Sequence, residues 1–465
     1  MKRKKLEEAL NEINDRHIAE AANPRKKNRR LWLSAIAAVL AIIIFLNAGS
    51  IPGIIRAKAV SEAPEPRILE RTDKNLDAWR AQRQQREAAA TQAKAALSPF
   101  FSDSAGICLA DSGSENLLYS PVNLYIGLSM AAELAGGESR QQILDAFGVA
   151  DIDSLQAQAS AVWETCYTDE NNRCTLANSL WLDSSLEYSQ DVMDSIAHHY
   201  YASVYQADLG TEATNKAIGT WLNNNTGGLL KNAADGINLD PETVLALYST
   251  VYFYSKWQDE FSAKNNTQDT FHTPDGDITA TFMNKKLSHM NYYWGDSFGA
   301  VSMGLKNGSY MWFILPDADK TVNDVLSDGQ FMRMITEGYD PETYEEKWTD
   351  YKYMKVNLSV PKFDVSSQRN LKDGLEKLGI THIFDPDRSD FSDAVSGPVF
   401  LTAANQSVRV KIDEEGVEAV AYIEFPGAGA AAPPEEIIDF VLDRPFLFVI
   451  SKSSIPLFAG VVNNP

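Results

Sequence analysis

At 465 residues and 44% hydrophobic, the chain can bury the core of one large domain or two ordinary ones. Its net charge of −21 argues against a general nucleic-acid binder. That charge is uneven: the first 60 residues carry 12 Lys and Arg against 5 Asp and Glu, so an acidic body follows a basic leader.

In chain order, Lys2 to Lys5 and Arg25 to Arg30 precede the uncharged run LWLSAIAAVLAIIIFL, Leu31 to Leu46. With NAGSIPGII added it reaches the roughly 20 residues a helix needs to cross a bilayer. The expectation is a basic cytoplasmic tail over 1–30 and a membrane helix over 31–55, with the body outside the cell. A signal peptide cleaved after Ala57-Lys58-Ala59, giving a secreted protein, is the alternative. The long basic region before the apolar run favours the uncleaved anchor. Residues 56–92 are charged and Ala-rich with two early prolines, Pro64 and Pro66, and read as a stalk that is extended and then helical.

The body, 93–465, alternates strong elements without another linker. SPVNLYIGLSMAAELA repeats apolar residues at helical spacing after a Ser-Pro start. ATNKAIGTWLNNNTGGLL reads as a helix ending at Gly227-Gly228. ALYSTVYFYSKW and YMWFILP are buried strands, KVNLSVPKFDV alternates in the strand period, and NLKDGLEKLG is an amphipathic helix closed by Gly379. The whole is a single α+β domain. Cys108 lies in an apolar helical pattern and reads as core. Cys166 and Cys174 flank the polar turn YTDENNR and are either a disulfide or two ordinary thiols.

Catalytic motifs are poorly supported. GDSFG, Gly295 to Gly299, matches G-x-S-x-G, but a nucleophile elbow needs a strand, a sharp turn and then a helix. Here Ser297 falls between two strand-like runs. No H-E-x-x-H, C-x-x-C or phosphate-cradling glycine loop occurs, so no metal or other cofactor is expected and the chain does not read as an enzyme.

DEEGVEAVAYIEFPGAGAAAPPEE, Asp413 to Glu436, is the unusual stretch. In period two, Val417, Ala419, Ala421, Ile423 and Phe425 form a small or apolar face. Glu418, Val420, Tyr422 and Glu424 form the mostly polar one. The segment is patterned as a half-buried strand, yet PGAGAAAPP behind it holds regular structure badly. It reads either as a segment with two homes or as an ordinary edge strand followed by a flexible loop.

Residues 95–465 resemble the serpins. FVLDRPFLFVI followed by PLFAGVVNNP is similar to the family signature. NLLYSPVNLYIGLSMAAELAGGESRQQILDAFG, WLNNNTGGLL, STVYFYSKWQDEF, DTFHTPDGDITATFM and LKDGLEKLGITHIF fall in the family's order. The resemblance implies a serpin fold of three β-sheets with eight or nine helices and an exposed reactive-centre loop. It also implies suicide inhibition, in which the protease is trapped as an acyl-enzyme while the cut loop enters the main sheet.

By position, the resemblance makes Glu414, Glu415, Gly416, Val417, Glu418, Ala419, Val420 and Ala421 the hinge. It pairs Lys362 with Glu414 and sets Trp257 over the top of the opening sheet. It puts the reactive bond between Ala430 and Ala431, with Ala428 and Ala432 as alternative baits. A bait of Ala suits an elastase-like or subtilisin-like serine protease. Ser120, Asn123, Ser249 and Gln406 fall where the family keeps a polar cluster beneath the sheet, with the usual Ser and Asn exchanged between 123 and 249. Departures include Val417 for a usual Thr or Ser, and Pro426, which removes a ladder donor. With the leader, they look more bacterial than animal. The expectation is a monomeric, membrane-tethered inhibitor. A non-inhibitory member of the fold, cut as a substrate and serving a binding or structural role, is the alternative.

Overall fold

The computed structural model describes residues 57–65, 75–168, 172–228, 230–340, 345–417 and 436–465. The expected tail and membrane helix, residues 66–74 of the expected stalk and the loop from Glu418 to Glu435 lie outside them. Among the described residues no helix is long and apolar enough to cross a membrane.

Helix α1, Leu76–Leu109, runs through residues 92 and 93 without a break. The reason is local: AAATQAKAAL is rich in the best helix former, and no breaker separates the exposed turns from the buried ones. From Ala90 onward its buried residues Ala93, Leu97, Phe100 and Phe101 recur at helical spacing. The helical part of the expected stalk is therefore continuous with the body. Helix α2, Pro121–Leu134, starts on Ser120, whose hydroxyl accepts the Asn123 N–H, with proline at the first helical position. Helix α3, Ile152–Cys166, is capped by Asp151, and α4 spans Gln190–Tyr200. Helix α5, Glu212–Asn225, is capped by Thr211 and followed by Gly227 and Gly228, both at positive φ.

The main sheet is in two blocks. The first contains β1 (Lys58–Ser61), β2 (Arg173–Asp183), β3 (Ala202–Ala207) and β4 (Leu245–Lys256) in the spatial order β1-β3-β2-β4. The second is the antiparallel pair β5 (Phe363–Asn370) and β6 (Asn405–Ile412). Between them lies a cavity of about 310 Å³, lined by Ser249, Thr250 and Val251 of β4 and Gln406, Ser407 and Val408 of β6.

The second assembly is one nine-stranded ladder. In spatial order its path is Ile437–Val441, Tyr351–Pro361, Gly276–Trp294, Phe298–Gly304, Ser309–Pro316, Phe446–Lys452, Ile455–Val462 and Leu117–Tyr119. Thr267–Thr273 pairs beside Gly276–Trp294. Strand Gly276–Trp294 is 19 residues long and joins what would otherwise be two sheets. The C-terminal apolar run supplies buried strands of this ladder, which is why it reads as an unbroken hydrophobic stretch.

Two ambiguous motifs find ordinary places. Ser297 sits in the turn between strands Gly276–Trp294 and Phe298–Gly304 and donates to Asp328 Oδ2 at 2.9 Å; a strand follows it, not a helix. Cys108, Cys166 and Cys174 are buried free thiols. Burial pushes Cys108 up to about 12 and Cys174 up to about 11.

Candidate functional site

At the top of β4 the chain turns at Asp413 and pairs back. Asp413 Oδ1 accepts the N–H groups of Glu415 at 3.0 Å and Gly416 at 3.4 Å, an Asx turn. The short strand β7, Gly416–Val417, then lies antiparallel on β4, with Gly416 opposite Lys256 and Val417 opposite Ser255. Gly416 has φ +156°, and a Cβ there would lie 2.4 Å from Lys256 Cα. Only glycine fits that approach. Val417 is buried in the main core.

Three groups hold this corner. Trp257, wholly buried, donates its ring N–H to the Asp413 carbonyl at 2.9 Å and its backbone N–H to the Glu415 carbonyl at 3.2 Å. Phe261 N–H donates to the Glu414 carbonyl at 3.0 Å. Lys362 Nζ and Asn266 Nδ2 both reach Glu414 Oε1 at 2.5 Å. Burial alone would raise the Glu414 carboxyl, but the hydrogen bonds from Lys362 and Asn266 outweigh it and hold the group below the ordinary glutamate range. Lys256 pairs with Glu415 at 3.2 Å and is held above the usual lysine range, first by that hydrogen bond.

Beneath the sheet the four polar residues meet. Ser120 Oγ donates to the Leu457 carbonyl at 2.6 Å. The Gln406 amide brackets the Ser120 backbone, accepting its N–H at 2.8 Å and donating to its carbonyl at 3.1 Å. Ser249 Oγ donates to Asn123 Oδ1 at 3.2 Å, and Asn123 Nδ2 donates to the Ser249 carbonyl at 3.4 Å. The two exchanged positions are thus direct partners, joining α2 to β4.

The structure brings Trp257, Lys362, Glu414, Glu415, Gly416 and Val417 into one corner and Ser120, Asn123, Ser249 and Gln406 into one cluster. Glu418, Ala419, Val420, Ala421, Ala430 and Ala431 lie outside the described residues. Sequence reading missed Lys256, Asn266 and the turn-forming role of Asp413. An Asx-turn reading of Asp-Glu-Glu-Gly could have found the last; nothing local marks the other two.

A family model described as "Serpin (serine protease inhibitor)" matches residues 102–465. Serpin-Z1C of Triticum aestivum is 26% identical over 371 residues, covering 76% of this chain and 91% of its own. Serpin-ZXA of Oryza sativa subsp. japonica is 28% identical over 377 residues, covering 77% and 92%. Among solved structures, the native state of the thermophilic serpin tengpin superposes with a TM-score of 0.70 at 23% identity, covering 88% of this chain and all of that one.

Proposed function

The chain belongs to the serpin family, and from that premise we propose that it is a suicide-substrate inhibitor of serine proteases. Its specificity is for small residues, elastase-like or subtilisin-like, with the reactive bond between Ala430 and Ala431. The leader at residues 31–55 tethers it outside the membrane.

The observation that carries this reading is the pairing of Gly416 and Val417 on β4 above a vacant slot. Continuing that register down β4 sets Glu418 against Tyr254, Ala421 against Val251, Ile423 against Ser249 and Gly427 against Leu245, the first residue of the strand. In that register Ala421 to Glu424 would lie against Tyr248 to Val251, the part of β4 that lines the cavity. The inward positions beyond Val417 are then Ala419, Ala421, Ile423 and Phe425, the apolar face of the period-two pattern. Val417 is already buried, so entry would newly bury Ala419, Ala421, Ile423 and Phe425, which represent about 5–8 kcal/mol before costs. Polar Ser249 and Gln406 line the slot where the strand would pass, so its edges offer backbone partners and its floor offers hydrogen bonds.

One residue favours the second reading, a non-inhibitory fold member that is merely cut. Pro426 falls opposite Ala246 in this register and would break the ladder one residue before its end. A strand that stalls there traps no protease.

The test is a denaturing gel of the full-length protein in detergent with an elastase-type and then a subtilisin-type protease. Inhibition gives a covalent band near the sum of the two masses, with release of a C-terminal peptide beginning at Ala431. Clean cleavage by both classes without that band would leave a substrate and sink the inhibitor.

A further inference from the structure

A second cavity, of about 350 Å³, is bordered by the C-terminal ends of α3 and α5, by β2, β3 and β4, and by Ala63 and Pro64 after β1. Its volume is that of a site for one small ligand. Nothing in the inhibitor reading uses it.

Its walls are held in place by their own elements. Trp163 of α3 is clasped between the rings of Tyr201, centroids 3.8 Å apart, and Tyr167, at 4.7 Å, so both its faces are covered and its edge is what it offers. Asn178 of β2 donates its Nδ2 to the Tyr200 carbonyl at 2.7 Å, which fixes the direction of its Oδ1. The ring stack on Tyr201 and the bond to Tyr200 gather both residues at the end of α4. Tyr252 of β4 and half-buried Trp221 of α5 supply two further aromatic walls. Gly227 admits the Tyr252 ring: its φ is +59°, and a Cβ there would lie 2.8 Å from Tyr252 Cε2.

Two atoms are left over at that corner. Trp163 and Asn178 are each 2% exposed, yet Trp163 Nε1 and Asn178 Oδ1 have no hydrogen-bond partner. One is a donor and the other an acceptor, and leaving either unpaired is costly. A secondary amide carries the complementary pair in one rigid plane, a carbonyl for the indole N–H and an N–H for the carboxamide oxygen. Among the described lining residues Arg173 is the only charged one, so no carboxylate is present to hold a cation. The remaining polar lining is amide and hydroxyl, from Asn224, Asn225, Thr175 and Ser203, groups that trade hydrogen bonds with hydroxyls. A peptide brings the amide with few hydroxyls, and a plain sugar brings hydroxyls with no amide. An acetamido sugar brings both, together with an apolar ring face that suits Trp and Tyr.

We propose that this cavity binds an N-acetylated amino sugar. The acetamido carbonyl accepts from Trp163 Nε1, the acetamido N–H donates to Asn178 Oδ1, and the pyranose ring lies among Trp221, Tyr252 and the amides of α5. The binding is independent of how the loop from Glu418 to Glu435 is used.

The experiment takes the full-length protein in detergent, isotopically labelled at the indole nitrogens of its nine tryptophans, with N-acetylglucosamine as the probe. Trp163→Phe keeps a ring in the stack, removes the N–H and so identifies the Trp163 indole signal. In the parent that signal should shift saturably as the amino sugar is added. Glucose, which lacks the acetamido group, should bind at least roughly tenfold more weakly, as expected for the loss of one or two hydrogen bonds to buried groups. Trp163→Phe should weaken N-acetylglucosamine by a similar factor in calorimetry. Trp221→Ala, at a half-buried position, is the second variant and should also weaken it while the Trp163 signal stays in place. A Trp163 signal that the amino sugar does not move marks a cavity filled by water only and overturns the proposal. Equal binding of glucose overturns it too, as does parent-like affinity in either variant. Tighter binding of N-acetylalanine methylamide than of N-acetylglucosamine would make this a peptide site and likewise overturn it. Should Trp163→Phe fail to fold, calorimetry of the three ligands on the parent and on Trp221→Ala still decides.

Discussion

Gly416→Ala tests the hinge geometry most directly. The new Cβ would sit 2.4 Å from Lys256 Cα and 2.6 Å from the Ser255 carbonyl oxygen, both backbone atoms that no side-chain rotation can move aside. Holding an L-residue at φ +156° costs about 1–3 kcal/mol by itself. The chain escapes by lifting β7 off β4, which gives up the burial of Val417, worth about 1.5–3 kcal/mol. Whichever route is cheaper, the docked hinge loses on the order of 1.5–3 kcal/mol, equivalent to a roughly 10- to 100-fold change in its opening equilibrium. The amides that report it are Trp257 and Phe261, which donate to the Glu415 and Glu414 carbonyls. Native-state hydrogen exchange should show both quickening by that factor, while amides in the middle of α2 keep their protection. Unchanged exchange at Trp257 and Phe261 would refute the claim that glycine is required there. Equal acceleration in α2 would refute its being local. Val417→Ala, which removes burial without a clash, should give a smaller rise at the same two amides.

The Glu414 clamp and the cluster under the sheet make further predictions. Glu414 is held below its unfolded pKa, so its contribution to stability is complete above about pH 4.3 and fades as pH falls through the folded value. The melting temperature of Glu414→Gln should therefore fall less than the parent's on acidification through that window. Identical slopes in the two proteins would remove Glu414 from the acid response. Asn123→Ser and Ser249→Asn should each destabilise by about 1 kcal/mol, because each leaves a hydrogen-bonding group of its partner unpaired. The double exchange should recover part of that loss in denaturant unfolding, a coupling near 1 kcal/mol; simple additivity would mean the two side chains act separately.

How much of this was legible depended on whether a residue's partner left a local trace. Val417 was readable, because period-two alternation put it on the apolar face and the structure buries it. The polar cluster was readable only through family resemblance: Ser120 and Gln406 are 286 positions apart, and no spacing rule spans that distance. Lys256 closes an aromatic strand and looks like an ordinary solvated end; that its backbone excludes any side chain at 416 depends on tertiary register. β1 was unreadable for a related reason. KAVS is four residues long, too short to show a period, and its partner strand starts more than 140 residues later. Composition truthfully reported a charged, proline-containing segment, but pairing at a sheet edge depends on what the edge offers, and that edge is formed elsewhere in the chain.

If the loop inserts as proposed, the contacts that would resist its entry are individually weak: one ion pair at Glu414, the Asn123–Ser249 and Ser120–Gln406 amide bonds, and Leu222 and Thr226 at the end of α5 on the cavity wall. A net hydrogen bond is worth about 0.5–1.5 kcal/mol, so no single one of them matches the roughly 5–8 kcal/mol that burial of the loop face would return on that reading. On the insertion reading the open sheet is held by a barrier to which each of these contacts adds a part. A barrier made of several small terms at separate places has a consequence that a single strong lock lacks. Each term can be weakened without unfolding the domain, so single substitutions at 123, 249, 362 or 414 should change the rate of loop entry by modest factors and leave its end point the same. A substitution at any of them that abolished insertion altogether would mean the barrier is concentrated there, and the distributed account would be wrong.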